Sequence, residues 1–195
     1  MPVAHLTRRM SLLLPFALAA CGTEEPREFP PLSYDYLPQI QLDVGTVEIE
    51  QRFIPSGRPP DVSQLAPVRP VDALRTMAQE RLRAFGTNGR AVFAIQDASL
   101  KRTGDVIDGS MAVILTIYRA DGAQGGNATA RVTRRNTGRV NSLRGTLYDM
   151  VKAMMDDMNV ELEYQIRRNL REWLTTATAP ETPVEQTPLE TPPRR

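Results

Sequence analysis

The chain contains a single cysteine and a single histidine, and this scarcity constrains its fold more than any other feature. One cysteine cannot form a disulfide within the chain, and a zinc site needs several Cys or His ligands, so neither cross-link can hold the fold together. A hydrophobic core must do so, and 41% of the residues are hydrophobic. His5 and Cys21 both lie within the first 21 residues. If residues 1–20 are removed and Cys21 is blocked, as argued below, no imidazole or thiol remains for Ser-His-Asp or Cys-His catalysis. We therefore predict no catalytic residues, no metal ligands and no cofactor.

The overall charge gives no indication of a nucleic-acid partner. The chain has 24 Lys and Arg residues against 23 Asp and Glu residues. Nucleic-acid binding usually requires a basic excess that attracts phosphate groups, so we expect no such partner. With 195 residues, the chain has room for one domain and terminal extensions.

The first 20 residues have the pattern of a secretory signal peptide. Arg8 and Arg9 precede an apolar run over residues 10–20, which is shorter than the roughly 20 residues needed to span a bilayer. Residues 1–20 are therefore predicted to be removed. The paired arginines leave twin-arginine export open. General secretion is favoured because Ser11 and Leu13 depart from that pattern.

The end of this segment, Leu18-Ala19-Ala20-Cys21, resembles the lipobox of bacterial lipoproteins. The resemblance implies that a signal peptidase recognises Leu18, Ala19 and Ala20, and that Cys21 becomes the first residue and carries fatty acids such as palmitate. Two or more acyl chains give stable membrane anchoring. Gly22 follows in place of aspartate, which by the sorting rule of enteric bacteria implies the periplasmic face of the outer membrane. The alternative is an ordinary signal peptide with a chance cysteine.

The remaining chain divides into three parts by composition. Residues 21–38 are proline-rich and predicted to form a tether, residues 39–174 a single domain, and residues 175–195 a disordered tail rich in Thr and Pro. The tether also holds apolar residues that either pack across the domain or bind a partner. They are Phe29, Leu32, Tyr34, Tyr36 and Leu37.

The first half of the domain shows one strand pattern followed by one helix pattern. Alternating apolar residues over 40–54 predict one long strand, with a β-bulge at Gly45-Thr46 where the alternation slips. Pro70 suits the first turn of a helix, and Gly86 suits its end. The apolar face of this helix is predicted to consist of Leu74, Met77, Ala78, Leu82 and Phe85.

The second half predicts three strands and a long helix. Alternation indicates strands over 91–100, 111–117 and 128–132, separated by loops at 103–109 and 121–126. Ser142 can cap a helix that reaches residue 174, with a methionine-rich apolar stripe that we interpret as core. The order β-α-β-β-β-α predicts an α+β two-layer sandwich, in which two helices cover one face of a four-stranded, mainly antiparallel sheet.

Two groups of residues are candidates for binding. Arg119, Arg131, Arg134 and Arg135 can line a groove for phosphate groups of lipid A or phospholipids, or they protect an edge strand and aid solubility. A second group can contact a partner or cap the core, and it consists of Leu170, Trp173 and Leu174. The adjacent acids Asp156 and Asp157 point about 100° apart on a helix and predict no acid–base pair.

The complete layout resembles two families of proteobacterial envelope lipoproteins. It combines the motif LAAC, a proline-rich tether, a β-α-β-β-β-α domain, a long last helix over residues 147–174 and a Thr/Pro-rich tail. One family is the lipoprotein that assembles LPS, and the other is the auxiliary lipoprotein of ABC-type lipid transporters. The resemblance implies a non-catalytic, lipid-anchored accessory protein that binds envelope proteins and anionic lipid. Alternatives are a regulator of a cell-wall or secretion machine and, less favoured, a carboxylate-based hydrolase.

Overall fold

The computed structural model describes residues 27–175, in which two helices pack on one face of a four-stranded sheet. The predicted signal peptide, Cys21 with its motif and the tail beyond Thr175 lie outside the described residues. The α+β two-layer prediction is confirmed. The elements in chain order are β1 Ile40–Leu42, β2 Thr46–Gln51, α1 Pro70–Arg81, β3 Leu82–Ala84, β4 Arg90–Thr103, β5 Val106–Tyr118, β6 Gln124–Asn136 and α2 Leu143–Asn169, with short 3-10 turns at Ser63–Leu65 and Arg171–Trp173.

The main sheet has the strand order β2-β4-β5-β6. Strand β2 runs parallel to β4, while β4, β5 and β6 are joined by hairpins and run antiparallel. Strand β6 lies at the edge and alternates small buried residues with exposed polar ones, as predicted for a strand that must not pair with other chains. Both hairpin turns are tighter than predicted, because β5 already begins at Val106 and β6 at Gln124.

The prediction of one long strand over residues 40–54 is wrong, because this segment contributes to two sheets. Strand β1 pairs in parallel with β3 in a separate two-stranded sheet, whereas β2 pairs with β4. The break falls at the slip in the alternation, where Gly45 donates its N–H to the carbonyls of Asn88 and Gly89, each at 3.1 Å. The slip therefore marks a change of partner strand and not a bulge.

The first helix is shorter than predicted, because residues after Arg81 pair with β1. Phe85 is 61% exposed and lies off the apolar face. Gly86 does not end the helix. Its N–H donates to the carbonyl of Val44 at 3.1 Å, and a Cβ at Gly86 would lie 2.7 Å from the Val44 nitrogen. Glycine is needed at this position because two backbones approach closely, and not because the helix ends there.

The second helix contributes more residues to the core than any other single element that the structure describes. The Ser142 hydroxyl accepts a hydrogen bond from the Gly145 N–H at 3.2 Å, which confirms the predicted cap. The predicted apolar stripe is buried, including its methionines, and consists of Leu147, Val151, Met154, Met155, Met158, Leu162 and Ile166. The helix ends at Asn169 and not at residue 174, because the chain then turns to pair with β1. There the Asp43 N–H donates to the Trp173 carbonyl at 2.8 Å.

Residues 27–38 form neither helix nor strand and lie along the two helices on the side away from the sheet, and we call them the N-terminal strap. The Tyr148 hydroxyl donates to the Pro30 carbonyl at 3.0 Å, near the start of α2. Further along, the Tyr34 N–H donates to Glu80 near the end of α1. Leu32, Tyr34 and Leu37 contact the core, which matches the interpretation that these apolar residues pack across the domain. Tyr36, in contrast, is exposed.

Candidate functional site

The four arginines predicted to bind anions do not converge on one point. Arg119 directly follows Tyr118, which pairs with Gln124 at the start of β6. Arg131 lies seven residues further along β6 (131 − 124), which places it about 23 Å from that end of the sheet at 3.3 Å per residue. Arg134 and Arg135 lie still further along β6. The chain therefore offers no common groove to all four side chains.

Two of these arginines already have carboxylate partners. Arg134 donates to Asp157 of α2 at 2.9 Å, and Arg135 donates to both oxygens of Asp108 at 2.6 and 3.2 Å. The hydrogen bonds from Arg135 hold the pKa of Asp108 below its ordinary value. Exposed pairs of this kind contribute little to stability and can exchange partners, so a ligand anion would compete with a weak contact.

The sheet face opposite the helices carries a polar groove of about 640 Å³. On β5, Asp108 and Ser110 alternate with Ile107 and Met111, and the latter two belong to the core shared with the helices. The groove contains charges of both signs and several hydroxyl groups, contributed by Asp97, Ser99, Lys101, Asp108, Ser110, Thr133 and Arg135. Its chemistry is therefore mixed, which suits hydrogen bonding to a polar partner better than selective binding of an anion.

The predicted partner contact near the end of the chain is largely occupied by the domain itself. Leu170 is fully buried, while Trp173 and Leu174 are half-buried and pack against the core. The indole of Trp173 fills the space above Gly125, where an added Cβ would lie 2.5 Å from the ring. This placement matches the alternative interpretation, in which these residues cap the core.

A buried arginine that the sequence analysis did not single out joins the two helices and the strap. Arg81 is only 2% exposed. Its guanidinium donates to Glu163 at 2.6 Å, to the Asn159 side chain at 3.1 Å and to the Pro38 carbonyl at 3.3 Å. Arg81 lies four residues after Met77, and this position on the apolar face of α1 was the signal in the sequence.

Two arginines lower the pKa of the carboxylate in this network. Partial burial opposes ionisation of Glu163, but hydrogen bonds from Arg81 and Arg167 together outweigh that effect and hold its pKa below the ordinary value. A cleft of about 600 Å³ opens beside Glu163, between the end of the strap, β1 and the last turns of α2. Because both arginines hold the carboxylate, its evident role is to fix the helices and not to transfer protons.

The strap also buries a hydroxyl group. Tyr34 is 3% exposed, and within residues 27–175 its hydroxyl has no hydrogen-bond partner. Burial raises the pKa of this phenol well above its ordinary value, with smaller contributions from nearby acids. The hydroxyl therefore remains neutral at any physiological pH.

Other site types are absent from the part of the chain that the structure describes. Residues 27–175 contain no group of three or more His, Cys, Asp or Glu side chains arranged to hold a metal ion. Over the same residues, no helix combines the length and apolar character needed to cross a membrane.

The chain matches no protein-family model and no curated protein. Among solved structures, it is similar to a DUF330-family protein from Xanthomonas campestris, with 10% identity and a TM-score of 0.38 over 69% of this chain and 88% of that chain. It is similar to a minor lipoprotein from Acinetobacter baumannii, with 12% identity and a TM-score of 0.29 over 61% and 93% of the two chains. It is also similar to a lipoprotein from Neisseria meningitidis, with 11% identity and a TM-score of 0.25 over 63% and 99%.

Proposed function

We propose that the protein is a non-catalytic, lipid-anchored accessory protein of the cell envelope. Acylated Cys21 holds it at the periplasmic face of the outer membrane, as the motif at residues 18–21 supports. The domain binds partner proteins of an outer-membrane assembly or lipid-transport system, with anionic lipid as a further ligand. The absence of thiol and imidazole groups after residue 21 supports a binding role over catalysis.

The observation that carries this proposal is the sheet face opposite the helices. Both helices and the strap lie on one side of the sheet, so the polar groove and the exposed side chains of β6 remain accessible on the other side. Thr129 and Arg131 are exposed on β6, and their strand partners Ile114 and Ala112 are largely covered by neighbouring side chains. Such a surface, with covered apolar residues among exposed hydroxyl and charged groups, offers hydrogen-bond donors and acceptors to a polar partner protein.

A crosslinking experiment in cells tests the partner-binding surface. A photoreactive residue at Thr129 samples the sheet face, and the same residue at Val160, which is 72% exposed on α2, is the matched control. We expect a specific adduct at Thr129 and none at Val160. An outer-membrane β-barrel in the adduct supports the LPS-assembly form of the proposal, and a permease or substrate-binding protein supports lipid transport. A peptidoglycan synthase supports the alternative, a regulator of cell-wall synthesis. Equal labelling at both positions contradicts the assigned surface.

A second experiment tests the anchor. The substitution Cys21→Ser removes the thiol that would carry the lipid. We expect the variant to appear in the soluble periplasmic fraction, because it lacks the acyl chains that would hold it in the membrane. If it still sediments with membranes after a high-salt wash, the lipid anchor is refuted.

A further inference from the structure

We infer that the domain docks on its own membrane through one end, where exposed cations contact anionic lipid headgroups. This end is formed by the β4–β5 turn, the loop at 137–142 and the first turn of α2, and we call it the basic pole. The inference rests on the lipid anchor at Cys21 proposed above. It adds an orientation and a contact surface to that anchor.

The first argument is the short distance between the anchor and the folded strap. Only five residues lie between Cys21 and Arg27, so the six steps from one Cα to the next (27 − 21) span at most about 22 Å even in a fully extended chain. Several contacts place Arg27 at α2: its guanidinium donates to both oxygens of Asp149 and lies over the rings of Phe29 and Tyr148, at 5.5 and 5.9 Å from their centroids. The attachment point is therefore the second turn of α2.

The second argument is what surrounds that attachment point. Asp149 lies about 10 Å from Ser142 along the helix, so the start of α2 and the preceding loop are within reach of the membrane. The pairing of Ile107 with Asn136 places the β4–β5 turn at the same end of the domain. In contrast, Asn169 lies about 30 Å from Asp149 in the opposite direction. The basic pole is thus the end that the anchor holds near the lipid.

The third argument is the charge of the basic pole. It carries four exposed or half-exposed cations that form no ion pair with residues 27–175, against three such carboxylates: Glu28, Asp105, and Asp61, which lies opposite Lys101. Arginine and lysine bind headgroup phosphates by charge-assisted hydrogen bonds. The four cations are Lys101, Arg102, Arg139 and Arg144.

Because the connection between Cys21 and Arg27 is short, even weak contacts with lipid are sufficient to dock the basic pole on the membrane. Each cation close to an anionic surface strengthens association about fivefold, and only within roughly 10 Å because salt screens the interaction. A short connection also gives the tethered domain a millimolar effective concentration at the surface. Cations at the far end, such as Arg168 and Arg171, have similar chemistry but lie outside this range when the basic pole is docked. The anchor, and not charge alone, selects the orientation.

The experiment uses the full lipidated chain, reconstituted in vesicles of phosphatidylethanolamine and phosphatidylglycerol that contain a headgroup-linked quencher. Because acylation consumes the only native thiol, a fluorophore can be attached at one new cysteine, Thr137→Cys at the basic pole or Asn169→Cys at the far end. We expect strong quenching at position 137 and little at position 169. The variant Arg139→Gln/Arg144→Gln should lower the docking constant about twenty-fivefold, whereas the matched control Arg168→Gln/Arg171→Gln should change it less than twofold.

The outcomes separate this inference from the anchor itself. Equal quenching at both positions, or no response to the Arg139→Gln/Arg144→Gln variant, overturns the orientation while the protein remains in the vesicles. Stronger quenching at position 169 also overturns it and indicates that the far end faces the lipid. A purified protein that carries no lipid and does not enter the vesicles refutes the anchor and the orientation together.

Discussion

Replacement of Arg81 by methionine tests whether the buried network holds the helices and the strap together. Methionine has a similar length and preserves packing, but it removes the charge and every donor. The substitution leaves Glu163, Asn159 and the Pro38 carbonyl without the guanidinium that they share. The perturbation is therefore electrostatic, and it affects three segments that are distant in sequence.

The expected loss of stability follows from the burial of each partner. Removing one member of a buried ion pair costs about 3–5 kcal/mol, because the other charge remains without compensation. Here Glu163 is 29% exposed and keeps its contact with Arg167 at 2.9 Å, which reduces the penalty. We therefore expect a loss of about 3 kcal/mol, the lower end of that range.

Urea unfolding of the purified Cys21→Ser protein, followed by far-UV circular dichroism, measures this loss. At a slope of about 2 kcal/mol per molar urea, a loss of about 3 kcal/mol lowers the midpoint by about 1.5 M. The matched control is Arg167→Met, which removes the exposed partner of the same carboxylate and should cost about 0.5 kcal/mol or less. A loss below about 1 kcal/mol for Arg81→Met would refute the reasoning, since such a value is typical of a surface pair.

Three further predictions concern single side chains. Because the pKa of Glu163 is lowered in the folded protein, its contribution to stability is present at neutral pH and is lost as pH falls below about 4.5. As the pH is lowered, the free energy of unfolding should therefore fall less steeply in Glu163→Gln than in the unsubstituted protein. An unchanged dependence on pH would contradict this. Tyr34→Phe removes a hydroxyl without a partner and should not destabilise the protein, whereas Tyr148→Phe loses a hydrogen bond and should cost about 1 kcal/mol in the same unfolding assay. Gly86→Ala forces two backbones apart and should lower the free energy of unfolding by more than about 3 kcal/mol. The control Gly138→Ala, at an exposed position, should lower it by about 0.5 kcal/mol or less. Equal melting temperatures of the two variants would contradict this prediction.

The three-strand hairpin region and the last helix could be predicted because their side chains repeat with a regular period. The alternation over residues 111–117 and the stripe of α2 reflect burial of one face, which depends only on local geometry. The ends of these elements were predicted less well. The chain leaves the helix after Asn169 because Trp173 finds a backbone partner in Asp43, about 130 residues earlier in the sequence (173 − 43). No local pattern contains such a partner.

The candidate sites were harder to predict for the same physical reason. Arginine side chains are long, and their partners are set by tertiary structure, so the spacing of Arg119, Arg131, Arg134 and Arg135 in sequence did not indicate where their charges lie. The apolar patch at Leu170 was visible as a pattern, but a pattern does not distinguish a core cap from an exposed contact. Parallel pairing of β1 with β3 also needs partners about 40 residues apart (82 − 40) and leaves no signal in either short strand.

The strap would connect the proposed anchor at Cys21 closely to the folded domain. Asp149, Glu80 and Arg81 fix the strap at three places, so a pull on Cys21 would be transmitted to both helices instead of extending a free linker. Under the proposed anchoring, the connection to Cys21 spans at most about 22 Å and the strands are about 40 Å long. The sheet face therefore lies no further than roughly 60 Å from the membrane surface. A partner must reach that zone, which favours proteins embedded in or attached to the same membrane over soluble ones. Cutting the contact of Arg27 with Asp149 should widen the zone: Asp149→Asn should broaden the range of partners that crosslink at Thr129, and an unchanged adduct pattern would show that the strap does not restrict the domain.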